Sequence, residues 1–213
     1  MAYLGNQVAP LVQALEGKEL KLDSDGDSSI QASVDDTVVF KTNGSNRWTL
    51  NSSGNLFPAS TSQGIVLGAT SDTSANRLDH YEEGTWTPTF VLGSTACTVT
   101  SEGNYTKVGR VVTINMFISI TNTNSGSGTA KVQSLPFAVA DLLQFTSVEA
   151  NGSVSLWSGF PTGMSSVSIF AQTSQQAELQ GLTSGTQTAT TTLNNSHFDS
   201  SCEFRASVTY FTT

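Results

Sequence analysis

The feature that most constrains this chain is one long run of strict alternation. From Arg110 to Thr121, Val112, Ile114, Met116, Ile118 and Ile120 fall on one side, and Val111, Thr113, Asn115, Phe117, Ser119 and Thr121 on the other. A period of two belongs to a strand, whose successive side chains leave opposite faces. Phe204, Ala206, Val208 and Tyr210 repeat the pattern near the C-terminus. Between these runs, segments near 130–135, 144–150, 154–158, 165–171, 176–182 and 187–193 alternate more briefly, and none carries a convincing helical pattern. Many short strands joined by polar loops predict an all-β head of β-sandwich, jelly-roll-like type. Asn151-Gly-Ser153 predicts a three-residue hairpin loop, because that length sets Val148 and Ala150 in phase with Val154 and Leu156.

Residues 28–58 obey the same rule on a smaller scale. Ile30, Ala32 and Val34 alternate, then Val38 and Phe40, then Trp48 and Leu50; Leu56 and Pro58 close the series. Asp35-Asp36, Asn43–Asn46 and Ser52–Asn55 supply the turns. Each piece offers two or three apolar residues to one face, and a module of about 35 residues cannot bury enough surface to fold alone. Copies that pool these faces into one core can, so the segment predicts an obligate oligomer. Residues 59–77, rich in Ser, Thr, Gly and Ala, read as an extended connector with Leu67 and Leu78 as anchors. Residues 7–16 place Leu11, Ala14 and Leu15 at helical spacing, with Pro10 suited to a first turn and Gly17 to an end. So short a helix is marginal alone and reads either as an attachment segment or as a frayed terminus. The organisation expected is 1–17 attachment, 18–77 stalk and connector, 78–213 head.

Leu78–Pro88 is where the character changes. Tyr81, Glu82 and Glu83 are polar or amphipathic, Gly84 permits an unusual backbone angle, and Trp86 begins an apolar alternation. Pro88 lacks a donor, which predicts an edge strand or a strand start. The stretch reads as a hinge between stalk and head.

Composition excludes several partners. The net charge is −8 with no basic run, which argues against a nucleic acid and against anionic lipid headgroups. No apolar run approaches the roughly 20 residues that span a bilayer, so no membrane insertion is expected. No signal-peptide pattern opens the chain, and folding in a cytoplasm is expected. Only 12% of residues are charged, against about 25% in an ordinary soluble domain; Thr, Ser, Asn and Gly replace them, as suits sheets with uncharged polar outer faces.

Asn76-Arg-Leu-Asp-His-Tyr-Glu-Glu-Gly-Thr-Trp-Thr-Pro-Thr89, followed by Gly103-Asn-Tyr-Thr-Lys-Val-Gly109, resembles a block of phage tail-fibre and tail-tip proteins that joins a thin fibre to a distal β-rich head. The resemblance is close over residues 64–120, and Asp23–Pro58 is similar in style to short fibre repeats of the same proteins. Nothing after about residue 121 matches, and His80 stands where the pattern has Asp. The resemblance implies a homotrimeric β-stalk, an N-terminus held by tail or adaptor proteins, and a virion protein assembled in the bacterial cytoplasm. It also implies a head that recognises a host surface glycan or protein. Two other readings stay open: a purely structural tail or head-decorating fibre, and a small polysaccharide-degrading spike. Spikes usually carry long parallel β-helices, for which this chain has neither the length nor the repeats.

Candidate chemistry is sparse. Asp23-Ser-Asp-Gly-Asp-Ser-Ser29 starts like a calcium loop, but Gly is fourth instead of sixth and Val34 stands where the bidentate Glu belongs; a polar turn is the expectation. Glu82 and Glu83 are strand neighbours and point apart. His197 and Asp199 share a face if extended. With no GxSxG, HExxH or P-loop pattern, no enzyme, metal or cofactor is expected. Cys97 and Cys202, in an early and a late strand of the head, read as reduced buried thiols or as a disulfide. Trp157-Ser-Gly-Phe-Pro-Thr-Gly-Met164 concentrates aromatic and apolar side chains among turn formers. Loops on a rigid scaffold commonly carry binding residues, and an aromatic face beside amides and hydroxyls suits a sugar ring. Trp157, Phe160, Met164, Asn124, Asn195 and His197 are therefore the candidate receptor-binding residues. The alternative places Trp157 in the core and Phe160 and Met164 at a subunit interface.

Overall fold

Several strands of this chain end beside a residue of positive φ, among them Asn43, Gly93, Gly109, Ser134 and Gly159. In the computed structural model, residues 19–32, 34–142, 148–161, 163–183 and 189–213 are described. The helix expected over 7–16 lies outside them, as do the first parts of the strands expected over 144–150 and 187–193. The chain forms two compact units, Met1–Asp79 and His80–Thr213.

In the first unit, β1 (Glu19–Lys21), β2 (Ser29–Gln31), β3 (Val38–Thr42), β4 (Ser45–Leu50) and β5 (Leu56–Pro58) follow one another as an antiparallel meander. Asn43 and Gly44, at φ 51° and 66°, form the two-residue turn between β3 and β4, the pair of left-handed residues whose twist matches a hairpin. Direct cross-strand partners run Leu20, Ile30, Phe40, Trp48, Pro58 across all five strands. A second row runs Val38, Leu50, Leu56. Partners share a face, so these rows make one apolar surface. Leu20, Phe40, Leu50 and Leu56 on it remain exposed. On the other face the Lys41 ammonium donates to Glu19 (2.6 Å) and Gln31 (2.7 Å). The connector holds a short ribbon of β6 (Ile65–Val66) and β7 (Arg77–Leu78). Leu67 and Leu78 are exposed.

The second unit contains β8 (Tyr81–Trp86), β9 (Thr89–Leu92), β10 (Thr95–Ala96), β11 (Thr98–Val108), β12 (Val111–Asn122), β13 (Ala130–Gln133), β14 (Val148–Ser158), β15 (Met164–Gln172), β16 (Gln176–Thr183), β17 (Thr191–Thr192) and β18 (Glu203–Phe211). They form one sheet in the order β10-β9-β13-β16-β15-β14-β18-β12-β11-β8, with β17 beside β16, and every pairing is antiparallel. Five steps separate β9 from β18 in that order, about 24 Å if the sheet were flat. Yet the Phe90 and Phe204 ring centroids are 5.9 Å apart. The sheet folds over on itself, and its two halves make the layers of a sandwich. The inward sets predicted on β12 and β18 are buried as expected, with Ile114, Ile118, Phe204 and Tyr210 at the centre of the core. The Tyr210 hydroxyl donates to the Phe137 carbonyl (3.1 Å) and accepts from its N–H (3.3 Å).

Two local expectations fail. Asn151-Gly-Ser153 forms no hairpin: it lies inside the continuous strand β14, where Gly152 pairs with Ile169 and Val208. A Cβ at Gly152 would overlap the Ser207 carbonyl oxygen, so this glycine admits a neighbouring strand and makes no turn. Gly84 takes no positive φ; it sits in β8 opposite Tyr105, and Gly103 sits in β11 opposite Trp86. Each glycine makes room for the ring facing it. An added Cβ at Gly84 would lie 2.9 Å from Tyr105 Cζ, and one at Gly103 would lie 2.7 Å from Trp86 Cε2.

Candidate functional site

Strand polarity assigns each loop of the second unit to one of two ends. The chain enters beside the Gly109-Arg110 turn, where the Gly109 N–H donates to the His80 carbonyl (2.7 Å) and Tyr81 pairs with Val108. At the opposite end lie the start of β11, the end of β12, the end of β14, and the starts of β15 and β18. Asn124, Trp157, Phe160, Met164, Asn195 and His197 all lie at that opposite end.

Their side chains are engaged in different ways. Asn124, at φ 51°, donates to the Ala96 carbonyl (2.8 Å). Asn195 accepts from the Gly128 N–H (3.1 Å). His197 is buried, and its Nδ1 accepts from the Asn194 N–H (3.2 Å) while Asn194 Oδ1 accepts from the Ser196 N–H (2.9 Å). This reciprocal cap builds the single turn Asn195–His197. Phe160 packs on Phe198 at 4.9 Å between ring centroids, and Phe198 on Phe90 at 5.1 Å. Trp157 and Met164 are half-buried against the core. The three polar candidates thus tie loops together, and the three apolar ones rest on the core with part of their surface outward.

The other sequence candidates separate. Asp199 Oδ1 accepts from the Ser201 hydroxyl (2.6 Å) and N–H (2.7 Å), bonds that lower its carboxyl below the ordinary value; His197 has other partners. Tyr105 donates to Glu82 (2.6 Å) and Tyr81 to Glu83 (3.0 Å), so neighbours in β8 point apart. Cys97 and Cys202 are both free thiols. Cys202 is buried, donates to the Gly159 carbonyl (3.2 Å), and burial pushes its thiol up to about 11. In the first unit Asp23, Asp25 and Asp27 bring carboxylate oxygens within 4.8 Å of one another. Asp23 Oδ1 accepts from the Gly26 (3.0 Å) and Ser28 (3.1 Å) N–H groups. Hydrogen bonds from Ser28 and Gly26 hold its carboxyl down to about 2, as in a polar turn organised by its own first residue.

A groove that the sequence reading missed runs over the outward face of β8, β11, β12 and β18, with a volume of about 640 Å³. Thr85, Asn104, Asn115 and Ser207 are successive cross-strand partners in one row. Glu102, Phe117 and Arg205 form the next. Asn115 Nδ2 donates to Asn104 Oδ1 (3.1 Å), and the Arg205 guanidinium carbon lies 4.6 Å from the Phe117 ring centroid. Among the described residues, the Glu102 and Arg205 side chains make no hydrogen bond or ion pair. The available signal was an outward aromatic, Phe117, on a face that is otherwise largely polar.

No protein-family model matches the chain, and no curated protein does. Among solved structures, the chain is similar to the crystal structure of the Dettilon tailspike protein (gp208), with a TM-score of 0.48 at 16% identity. That match covers 62% of this chain and 24% of the tailspike, so the chain spans about a quarter of that protein's length.

Proposed function

We propose that this chain is a virion component of a phage tail fibre that attaches the particle to its host, recognising a surface glycan through the loop end of the second unit. One observation carries the reading: the chain enters the second unit at one end, and the strand ends and loops bearing all six candidate residues lie at the other. A fibre needs that polarity, with anchorage behind and recognition in front. The open apolar rows of the first unit support assembly through pooled faces, and three copies would raise weak single-site binding by effective concentration. The protein acts by binding, without catalysis and without a cofactor, and its N-terminus is held by other tail proteins. A purely structural fibre gains some support from Asn124, Asn195 and His197, which are engaged inside the loops.

The test is adsorption. Purified full-length protein should bind host cells and block phage adsorption, and Trp157→Ala, shown by thermal melt to be folded at the assay temperature, should weaken both. Light scattering should give three times the chain mass. Binding absent from a folded trimer would leave the structural reading in place; a folded monomer would remove the fibre assignment.

A further inference from the structure

We infer that the groove over β8, β11, β12 and β18 is a second binding site, and that its ligand is an oligosaccharide carrying a carboxylate-bearing sugar. The site is separate from the loop end and does not depend on that end being the attachment surface.

The chemistry of the floor selects the ligand. In a chain of net charge −8, Arg205 has no acidic partner among the described residues and is held by the Phe117 ring at 4.6 Å. A guanidinium is a planar fork matched to a carboxylate, and positioning it by an aromatic face leaves its N–H donors unused within the protein. The ligand that completes this group is an anion of carboxylate shape.

The neighbouring row describes the rest of the molecule. Asn104 and Asn115 bond to each other once, which leaves one amide with free donors and the other with a free acceptor. Thr85 and Ser207 extend the row at both ends. Such a strip of mixed donors and acceptors, about 14 Å across four strands, suits the hydroxyls of a short run of sugars. Phe117 supplies apolar contact for a ring.

Other occupants fit poorly. A nucleic acid needs several cations along its backbone, and the groove has one. A peptide anchors by apolar pockets or by pairing with a strand edge. Here the strands under Asn104, Asn115 and Ser207 are already paired on both sides. Glycoside hydrolysis needs two carboxyl groups flanking the bond, and among the described residues Glu102 is the groove's one carboxylate. The geometry is that of a binding site.

The experiment exposes the full-length protein to a printed array of bacterial surface oligosaccharides, with carboxylated and neutral members. Affinities are then measured for the retained sugars. Carboxylated members should be retained, and Arg205→Gln should weaken them about tenfold or more, the size of one charged hydrogen-bonding pair. Asn115→Ala should weaken them less. Arg205→Lys, which keeps the charge and loses the fork, should recover only part. Asn115 and Arg205 are exposed, so thermal melts of the groove variants should match the parent. Retention of no sugar, a preference for neutral members, or equal affinity in Arg205→Gln would each overturn the inference. Loss on Trp157→Ala with the groove variants intact would place the sugar at the loop end instead. Cell adsorption failing while array binding persists would count against the proposed attachment function alone.

Discussion

Replacing Gly103 by Ala separates two opposed expectations. On strand propensity alone the change should help by about 0.5–1 kcal/mol, because glycine in a strand loses more backbone freedom than alanine. The structure predicts the opposite sign. An ideal Cβ at Gly103 would lie 2.7 Å from Trp86 Cε2 and 2.8 Å from Cδ1, and would overlap Nε1. Carbon atoms in good contact sit about 3.5–4.0 Å apart, so the indole must retreat by roughly 1 Å. It has little room, since Trp86 packs against the core and its buried Nε1 has no hydrogen-bond partner among the described residues. Overpacking of this kind costs about 1–3 kcal/mol, which leaves a net loss centred on about 1 kcal/mol and reaching about 2.5 kcal/mol after the propensity gain. For a domain of this size that lowers the melting temperature by roughly 2–8 °C. Denaturant unfolding followed by tryptophan fluorescence gives the number. In a Trp86→Leu background the penalty should vanish and Gly103→Ala should become neutral or stabilising. A Gly103→Ala protein as stable as the parent, or a penalty unchanged by Trp86→Leu, would refute the account of paired glycine and ring.

Three further outcomes follow from buried or perturbed groups. Tyr210→Phe leaves the half-buried Phe137 N–H and carbonyl without their partner and should cost about 0.5–1.5 kcal/mol in urea unfolding; a neutral change would contradict the assignment. With burial pushing the Cys202 thiol up to about 11, about one molecule in a thousand carries the thiolate at pH 8. A disulfide reagent should therefore leave Cys202 unmodified in the native protein and modify it in denaturant, as mass spectrometry of peptides would show. Asp23 in the fold ionises at about 2, below its ordinary value of about 3.9. Its contribution is complete above that ordinary value and is lost as pH falls from about 4 to 2. Asp23→Ala should flatten the acid limb of the first unit's unfolding curve, measured on the full chain through Trp48.

The parts of the fold legible in the sequence are those whose buried face is filled by the strand's own side chains. β12 and β18 announce themselves because Ile114, Ile118, Phe204 and Tyr210 occupy their own inward positions. β11 does not: its inward places include Ser101, Gly103 and Lys107, and the volume over Gly103 is taken by Trp86 from the adjacent strand. Lys107 faces the Phe137 ring at 4.8 Å, so even a lysine serves on that side. Asn151-Gly152 carries the strongest local hairpin signal in the head, and it is overridden because Gly152 admits the backbone of β18. The polar candidates at the loop end were legible as loop residues, but their hydrogen bonding was not, since Asn124 and Asn195 find partners on segments far along the chain. The groove was hidden for the same reason: Glu102, Phe117 and Arg205 become neighbours only through strand register.

The single folded sheet also bears on how the protein behaves when crowded. Two separate sheets present four outer strands, whereas the described strands of this one end at β10 and β17, each two residues long, and at β8. Exposed edges are where chains add to one another and aggregate, so β8 is the one long edge that needs defending. It carries Glu82 and Glu83 in adjacent positions, and a second β8 laid alongside would bring like charges onto both faces of the new ribbon. The acidic pair that invites a search for catalysis is better understood as the guard of that edge, keeping copies of the chain from sticking to one another.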